Sequence, residues 1–208
     1  MRDRDGCLIP ILTAIGNHEV MGRYNRSMKE APFYYLFFEK GTYALGFGKY
    51  AHFTFLDSNH TQKVKGKQTD WLKKVLAKNK DHTHRFCVYH VGAYPSNGKE
   101  TSSTCKAVRT HWVPLFERYK LDACFENHDH AYKRTHPLIN GKKSSKGVIY
   151  FGDGSWGVKP RQPKSRPYLA KALAEQQVLV VELSKSKRRY WAVNAKGKVI
   201  DRHEQAAD

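Results

Sequence analysis

Polar side chains that could bind a metal ion follow three apolar runs of the sequence, at residues 8–15, 85–89 and 121–125. They comprise an amide, four imidazoles and three carboxylates, namely Asn17, His18, Glu19, His90, Glu126, His128, Asp129 and His130. Borderline divalent metals prefer imidazole nitrogen together with carboxylate or carbonyl oxygen. In open α/β sheets, such sites gather beyond the carboxyl ends of the strands. If the three runs are strands of one sheet, the sequence predicts a metal site at that edge.

The spacing of His128 and His130 leaves two geometries open. On an extended segment both side chains would leave the same face, whereas on a loop they could bind two different ions. A lone histidine such as His90 is more often structural or exposed than a ligand, and an isolated His-x-His pair is weak support for a metal. The prediction of a metal site therefore depends on the three clusters occurring together.

The elements that must position these residues alternate early in the chain and become mostly strands later. Strands are predicted at 8–15, 51–57, 85–90, 121–126, 147–152, 178–183 and 190–193, and helices at 68–79 and 106–120. Pro114 predicts a kink or a restart within the second helix. The continuously apolar run 178–183 is typical of a strand buried on both faces. Segments 92–104 and 159–168 are rich in Pro, Gly, Ser and Lys and are predicted to be long loops.

This order of elements favours a layered α/β sandwich with a mixed sheet. A chain of 208 residues suits one domain, so residues 1–208 are expected to form a single unit. No run of eighteen apolar residues occurs, so no transmembrane segment is predicted. The oligomeric state is not indicated.

The net charge favours anionic partners. Lys and Arg number 37 against 19 Asp and Glu, which gives a formal charge of +18. Such a surface attracts phosphate esters, nucleic acid and acidic membranes. The basic residues are scattered at turns, which fits solvated loops with general steering of anions, and a specific nucleic-acid role stays open because such a role needs charge on one face.

At this point a family resemblance becomes specific. Residues 16–19, Gly-Asn-His-Glu, resemble a block of the calcineurin-like phosphoesterases, and residues 89–94 resemble their central histidine block. Residues 127–134 resemble the Gly-His-x-His-Ala-Tyr-Glu-Arg block of purple acid phosphatases, and 152–154 resemble a glycine-rich block that follows it. The blocks occur in the family's order. The resemblance implies the layered α-β-β-α metallophosphoesterase sandwich with mixed sheets.

Carried over by position, the resemblance implies that Asn17, His90 and His128 bind one metal ion and that His130 binds a second. His18 would lie beside the substrate phosphate, stabilising the transition state or protonating the leaving oxygen, and Glu19 could orient it. The implied cofactors are two ions of Fe, Zn or Mn. The implied reaction is hydrolysis of phosphate monoesters by a hydroxide bound to both ions. The alternatives are a phosphodiesterase or nuclease, and a non-catalytic remnant that binds anions or nucleic acid.

Departures from the family pattern modify this expectation. Asn127 replaces the usual glycine and Lys133 the usual glutamate, changes expected to alter only the loop. Two aspartate-containing blocks normally precede Gly16 by tens of residues, and here fifteen residues precede it. We therefore expect an N-terminally truncated catalytic domain without the first strands and ligands, which alone binds one metal weakly and catalyses poorly. Relatives of this kind are commonly exported, which predicts a secreted or periplasmic parent protein.

Other residues near the motifs have structural interpretations. Asp57 is expected to cap a turn, Asp153 to form a turn or support a ligand, and Trp112 to lie in the core. A role in lining a phosphate pocket is assigned to Tyr94, Tyr132 and Arg134. Surface positions are expected for five histidines, which are His60, His82, His84, His136 and His203. Cys87 and Cys124 lie inside apolar runs and are expected to be buried.

Overall fold

A seven-stranded mixed sheet organises the chain in a computed structural model, which describes residues 2–152 and 154–207. In chain order its strands are β1 (Tyr43–Phe47), β2 (Ala51–Phe55), β3 (His84–Tyr89), β4 (Ala123–Glu126), β5 (Tyr132–Thr135), β8 (Ile149–Gly152) and β9 (Leu169–Leu173). Their spatial order is β1-β2-β3-β4-β8-β5-β9. Strands β2, β3, β4 and β8 run parallel, while β1, β5 and β9 pair antiparallel with their neighbours.

The remaining strands form two antiparallel units. A two-residue pair joins β6 (Leu138–Ile139) to β7 (Lys142–Lys143). A meander joins β10 (Gln177–Leu183), β11 (Lys187–Asn194) and β12 (Val199–Ala206). The helices are α1 (Pro32–Phe38), α2 (Thr69–Lys78), α3 (Ser103–His111) and α4 (Val113–Arg118).

Two buried clusters hold these layers together. On one face of the large sheet, Leu72 of α2, Phe116 of α4 and Trp112 between α3 and α4 belong to a core shared with the sheet. On the other face, Phe86 and Phe151 pack against Tyr190 of the meander, with ring centroids of Phe151 and Tyr190 4.5 Å apart. The layers are therefore helices, mixed sheet and second sheet, which confirms the predicted α/β class with mixed sheets.

The break in the second predicted helix is confirmed. The helix ends at His111 and restarts at Val113, so that Pro114 occupies the first turn of α4, where its missing N–H costs nothing. Trp112 lies at the junction and is fully buried, as predicted. Cys87 and Cys124 are buried as well, on neighbouring strands.

The strand predicted at 8–15 is wrong. Leu8 forms an isolated bridge with Arg2, residues 9–15 have no regular structure, and the Ile11 side chain is 62% exposed. A strand is stable only where a neighbour accepts its backbone hydrogen bonds, and within the described ranges no strand pairs with 9–15. Instead, Thr13 exchanges two hydrogen bonds of 2.9 Å with the Tyr43 hydroxyl.

The two-sided burial predicted for 178–183 is also wrong. In β10 exposed and covered residues alternate, and Val178 and Val180 are each 45% exposed. Leu179 and Val181 face the second cluster instead. An antiparallel meander covers one face only, which apolar composition by itself does not reveal.

Two histidines predicted to be on the surface are buried. His60 and His84 have no exposed surface. His84 joins the two sheets, since its Nε2 lies 3.0 Å from the carbonyl oxygen of Ser184. His60 lies beneath the candidate site, with its ring centroid 5.3 Å from that of His90.

Buried His52 in β2 leads to a prediction about pH. Burial, and secondarily the neighbouring His82, lowers the pKa of His52 to about 4, against about 6.5 in an unfolded chain. The unfolded chain therefore binds the extra proton first, and stability is full above about pH 6.5 and falls as pH drops toward 4. Between pH 7.5 and 4.5 we expect the wild type to lose about 2 kcal/mol more unfolding free energy than His52→Gln. Urea titrations of both proteins at the two pH values measure this difference, and parallel losses would contradict it.

Candidate metal and active site

Three potential ligand atoms converge where the first, central and last motif meet. His90 Nε2 lies 2.7 Å from Asn17 Oδ1 and 2.9 Å from His128 Nδ1. His90 follows β3 and His128 follows β4, so that two parallel strands deliver them to one edge of the sheet. The backbone N–H of Asn127 donates to the His90 carbonyl at 3.0 Å and fixes the two strand ends together.

The segment that carries Asn17 is shaped by close contact with His90. Residues His18–Val20 form a single 3-10 turn. A Cβ at Gly16 would lie 3.0 Å from the His90 ring, so only glycine fits there without displacement. The Glu19 carboxylate accepts a hydrogen bond of 2.9 Å from the Gly16 N–H. The expected hydrogen bond from His18 to the Glu19 carboxylate is not observed among the described residues, and Glu19 instead fixes this turn.

Three imidazoles of the site, those of His90, His128 and His130, favour their neutral, ligand-competent forms. Burial, followed by the neighbouring imidazoles of His128 and His60, lowers the pKa of His90 well below its ordinary value. Burial also lowers the pKa of His128. For His130, burial and then Arg161 lower the pKa. Neutral imidazole is the form that binds metal, so these lowered pKa values favour metal binding.

A buried ion pair supports the loop after His90. The Lys133 ammonium donates to the Glu126 carboxylate and, at 2.5 Å, to the Tyr94 carbonyl, and both charged side chains are 1% exposed. Glu126 also accepts hydrogen bonds of 2.7 Å from the Tyr89 hydroxyl and the Ala93 N–H. Lys133 was expected only to alter the loop, but it is the countercharge of a buried carboxylate.

The residue between the two motif histidines organises a second loop. Asp129 is 4% exposed and accepts hydrogen bonds from the backbone N–H groups of Ser96, Asn97 and Gly98. Burial alone would raise the pKa of Asp129, but the Lys133 charge and the backbone donors together lower it. The aspartate therefore holds the loop 96–98 against the site as an anion. The motifs did not predict this role. The position of Asp129 between His128 and His130 could have suggested it.

All five predicted site residues line one cavity of about 440 Å³. Its wall consists of Asn17, His18, His90, Asn97, Gly98, His128, Asp129, His130, Arg161 and Gln162. The Arg161 N–H donates to the His130 carbonyl at 2.7 Å and brings the loop 159–168 to the cavity. His18 is exposed at the mouth of the cavity. Arg161 is an additional cation that the motifs did not predict.

The three residues assigned to a phosphate pocket lie elsewhere, and that prediction is wrong. Tyr132 donates to Asp201 at 2.7 Å, and Arg134 pairs with the same carboxylate. Tyr94 packs within the core, with its ring centroid 4.7 Å from that of Tyr150. These side chains are close to motif residues in the sequence. That proximity along the chain does not bring them into the cavity.

The converging atoms fit one metal ion better than two. An amide oxygen and an imidazole nitrogen, each less than 3 Å from His90 Nε2, form with it a suitable donor set for a single borderline ion. Within residues 2–152 and 154–207, no three His, Cys, Asp or Glu side chains are grouped so that they could hold a metal. The trio itself contains two such side chains, because Asn17 is an amide. A second ion at His130 would thus lack a set of three such ligands within the described part of the chain.

The aspartates considered in the sequence analysis do not supply that missing ligand. Asp57 accepts hydrogen bonds from the backbone of His60, Thr61 and Gln62 at 2.6–2.9 Å, which confirms its predicted role as a turn cap. Asp153 lies outside the described residues. No helix in the described ranges has both the length and the apolar character needed to cross a membrane.

Comparisons with known sequences identify named proteins to which the chain is similar. No protein-family model matches the chain. Purple acid phosphatase 18 of Arabidopsis thaliana is 28% identical over 135 residues, which cover 63% of this chain and 29% of the relative. Purple acid phosphatase 15 of the same plant is 27% identical over 161 residues, 70% of this chain and 29% of the relative. The chain thus spans less than a third of the length of these relatives.

Comparison with solved structures also finds a similar purple acid phosphatase. Purple acid phosphatase PPD1 from yellow lupin seeds superposes with a TM-score of 0.77 at 18% identity, over 96% of this chain and 41% of the lupin chain. GAP50, an anchor in the inner membrane complex of Plasmodium, gives 0.63 at 17% identity over 81% of this chain and 55% of its own. At such identities the likeness concerns the fold. In sequence, motifs and fold, this chain is similar to the purple acid phosphatases, and thereby to the calcineurin-like metallophosphoesterases.

Proposed function

We propose that this chain takes part in metal-dependent hydrolysis of phosphate monoesters at the cavity lined by Asn17, His90 and His128. The similarity to purple acid phosphatases supports phosphoesterase-type hydrolysis in general. The observation that carries the proposal is the convergence of Asn17 Oδ1 and His128 Nδ1 on His90 Nε2, at 2.7 and 2.9 Å, in a cavity of about 440 Å³.

In this proposal the side chains have separate roles. Asn17, His90 and His128 hold one ion, of Fe, Zn or Mn, and His130 is a ligand of a second ion only where further ligands complete its site. When bound, the metals supply Lewis-acid charge that lowers the pKa of water and neutralises phosphate. His18, exposed at the mouth of the cavity, hydrogen-bonds the phosphate or delivers a proton to the leaving oxygen. Arg161 adds a guanidinium that suits the paired oxygens of a phosphate.

A second candidate, hydrolysis of phosphodiesters or nucleic acid, is favoured by the charge of +18. A large anionic substrate would be steered by such a surface. The third candidate, a non-catalytic module that binds anions or nucleic acid, would show no turnover and a steep loss of affinity with salt. Export of the parent protein and the single domain 1–208 stay predictions from the sequence.

The test of the proposal is hydrolysis of an aryl phosphate and a bis-aryl phosphate by the chain loaded in turn with Zn, Mn or Fe. We expect the monoester to be hydrolysed, and His18→Asn to lower kcat by about 100-fold or more, because general acid catalysis contributes 10²–10⁴-fold. The control is His111→Asn, which removes an imidazole on α3 outside the cavity.

Other results of this experiment would support a different function. Preference for the diester favours the phosphodiesterase. Absence of turnover with every metal, together with salt-sensitive binding of oligonucleotides, favours the binding module. An equal rate in His18→Asn and wild type would contradict the role assigned to His18.

A further inference from the structure

A second cavity, of about 730 Å³, lies at the amino ends of the parallel strands of the large sheet. Its wall includes Arg85 at the start of β3, Leu121 just before β4, and Gly147 just before β8. The candidate metal site follows the other ends of β3 and β4, and a six-residue strand spans roughly 20 Å. The two cavities are therefore separate sites. The meander closes the second one through Arg188 of β11 and residues 203–206 of β12.

Positive charge exceeds negative charge in this cavity. Four cationic side chains line it, and these are Arg85, Lys120, Lys146 and Arg188. The carboxylates that line it are those of Asp122 and Glu204. Asp122 pairs with Arg188 at 2.9 Å. Glu204 pairs at 2.7 and 3.0 Å with Lys187 and Arg189, which lie outside the cavity wall. Both carboxylates are thus already compensated.

Three buried nitrogens around the cavity have no hydrogen-bond partner among the described residues. They are Arg85 Nε, Arg188 Nε and His203 Nε2. Arg188 is 3% exposed, and its other nitrogens are bonded to Asp122 and to the carbonyls of Thr83 and Ala206. A buried donor without an acceptor destabilises the fold. The exposed ammonium groups of Lys120 and Lys146 are the cations that a ligand in the cavity can reach.

We propose that this second cavity binds a phosphate or diphosphate group, free or esterified to a small organic molecule. A phosphoryl group combines negative charge with the several acceptor oxygens that arginine nitrogens match. The cavity volume falls in the range of small-molecule sites. Leu121, Pro137 and Ile149 add apolar wall that an organic substituent could contact. The proposal does not depend on the hydrolytic activity proposed for the first cavity.

The test is titration of the ¹⁵N-labelled chain with inorganic pyrophosphate in metal-free buffer, followed by amide chemical shifts. We expect the signals of Leu121, Gly147 and Gln205 to shift. In Lys120→Gln/Lys146→Gln, two exposed positions whose replacement leaves the core intact, the Kd at these signals should rise at least tenfold. The control is Lys142→Gln/Lys143→Gln on β7, which removes the same charge outside the cavity and should change the Kd by less than twofold.

Two results would overturn the proposal. One is shifts confined to His128, His130 and Arg161, which would place the anion in the first cavity alone. The other is an equal loss of affinity in both double variants, which would indicate surface charge without a built site. A parallel titration with adenosine monophosphate distinguishes the source of the phosphoryl group, since tighter binding than pyrophosphate identifies an esterified ligand.

Discussion

Lys133→Met is expected to lower the free energy of unfolding by about 3–5 kcal/mol, because it leaves the carboxylate of Glu126 buried without its countercharge. Methionine approximates the volume of lysine, so the loss would come from charge and not from a cavity. Glu126 lies beneath the loop after His90, and a Cβ at Gly92 would be 2.5 Å from its Oε2, so the carboxylate is packed closely against that loop. Urea unfolding at pH 7 measures the loss.

The double variant Glu126→Leu/Lys133→Met is the matched control. Replacing both members of a buried ion pair by apolar side chains is often close to neutral, whereas removing one is not. We therefore expect the double variant to recover much of the lost stability, except for the hydrogen bonds from Tyr89 and Ala93. Equal destabilisation of the single variant and of Lys142→Met, on the exposed strand β7, would contradict the importance of the pair.

His90→Ala is expected to weaken metal binding by at least about 100-fold, since losing only the partner of a ligand already costs 10–100-fold. His90 Nε2 is the central atom of the trio, within 2.9 Å of both others. Competition with a chromophoric chelator for Zn measures the affinity, and elemental analysis of the loaded wild type should give about one metal per chain. Two metals per chain would show that further ligands exist.

Variants of Asn17 distinguish loss of the metal-binding oxygen from a change in side-chain shape. Leucine shares the branched outline of asparagine and aspartate, so Asn17→Leu removes the oxygen while Asn17→Asp keeps it and adds charge. We expect Asn17→Leu to weaken metal binding and Asn17→Asp to retain or strengthen it. Unchanged affinity in Asn17→Leu would exclude the amide oxygen as a ligand.

The sequence predicted the fold best where local signals and tertiary contacts agree. The apolar stripe of α2 and Pro114 at the start of α4 specify helices directly, and both are observed. The sequence could not decide between one-sided and two-sided burial for β10. It also missed β1, β5, β9 and β12, whose exposed or charged faces hide the apolar alternation. For residues 9–15, β propensity was present but a partner strand was not.

The residues of the candidate site were likewise predicted only in part from the sequence. The five residues that carry recognisable motifs line one cavity, although their roles stay proposals. Glu126 and Lys133 support that cavity, but they are seven positions apart and nothing in either segment signals the buried pair. Arg161 reaches the cavity from a loop whose composition predicted only a lack of regular structure. Supporting contacts arise from the packing of distant segments, so they cannot be predicted from the spacing of the motifs.

The two sheets differ in how far apart along the chain their paired residues lie, and this separation affects the order of folding. In the meander, Leu183 pairs with Arg188 across a tight turn. In the large sheet, Ala51 pairs with His84, and Phe86 with Ala123, across whole helices. Closing long loops costs entropy before the contacts form, so such pairings are slow. Because the strands that deliver His90 and His128 belong to this slow set, refolding should restore metal binding later than it restores the meander around Trp191.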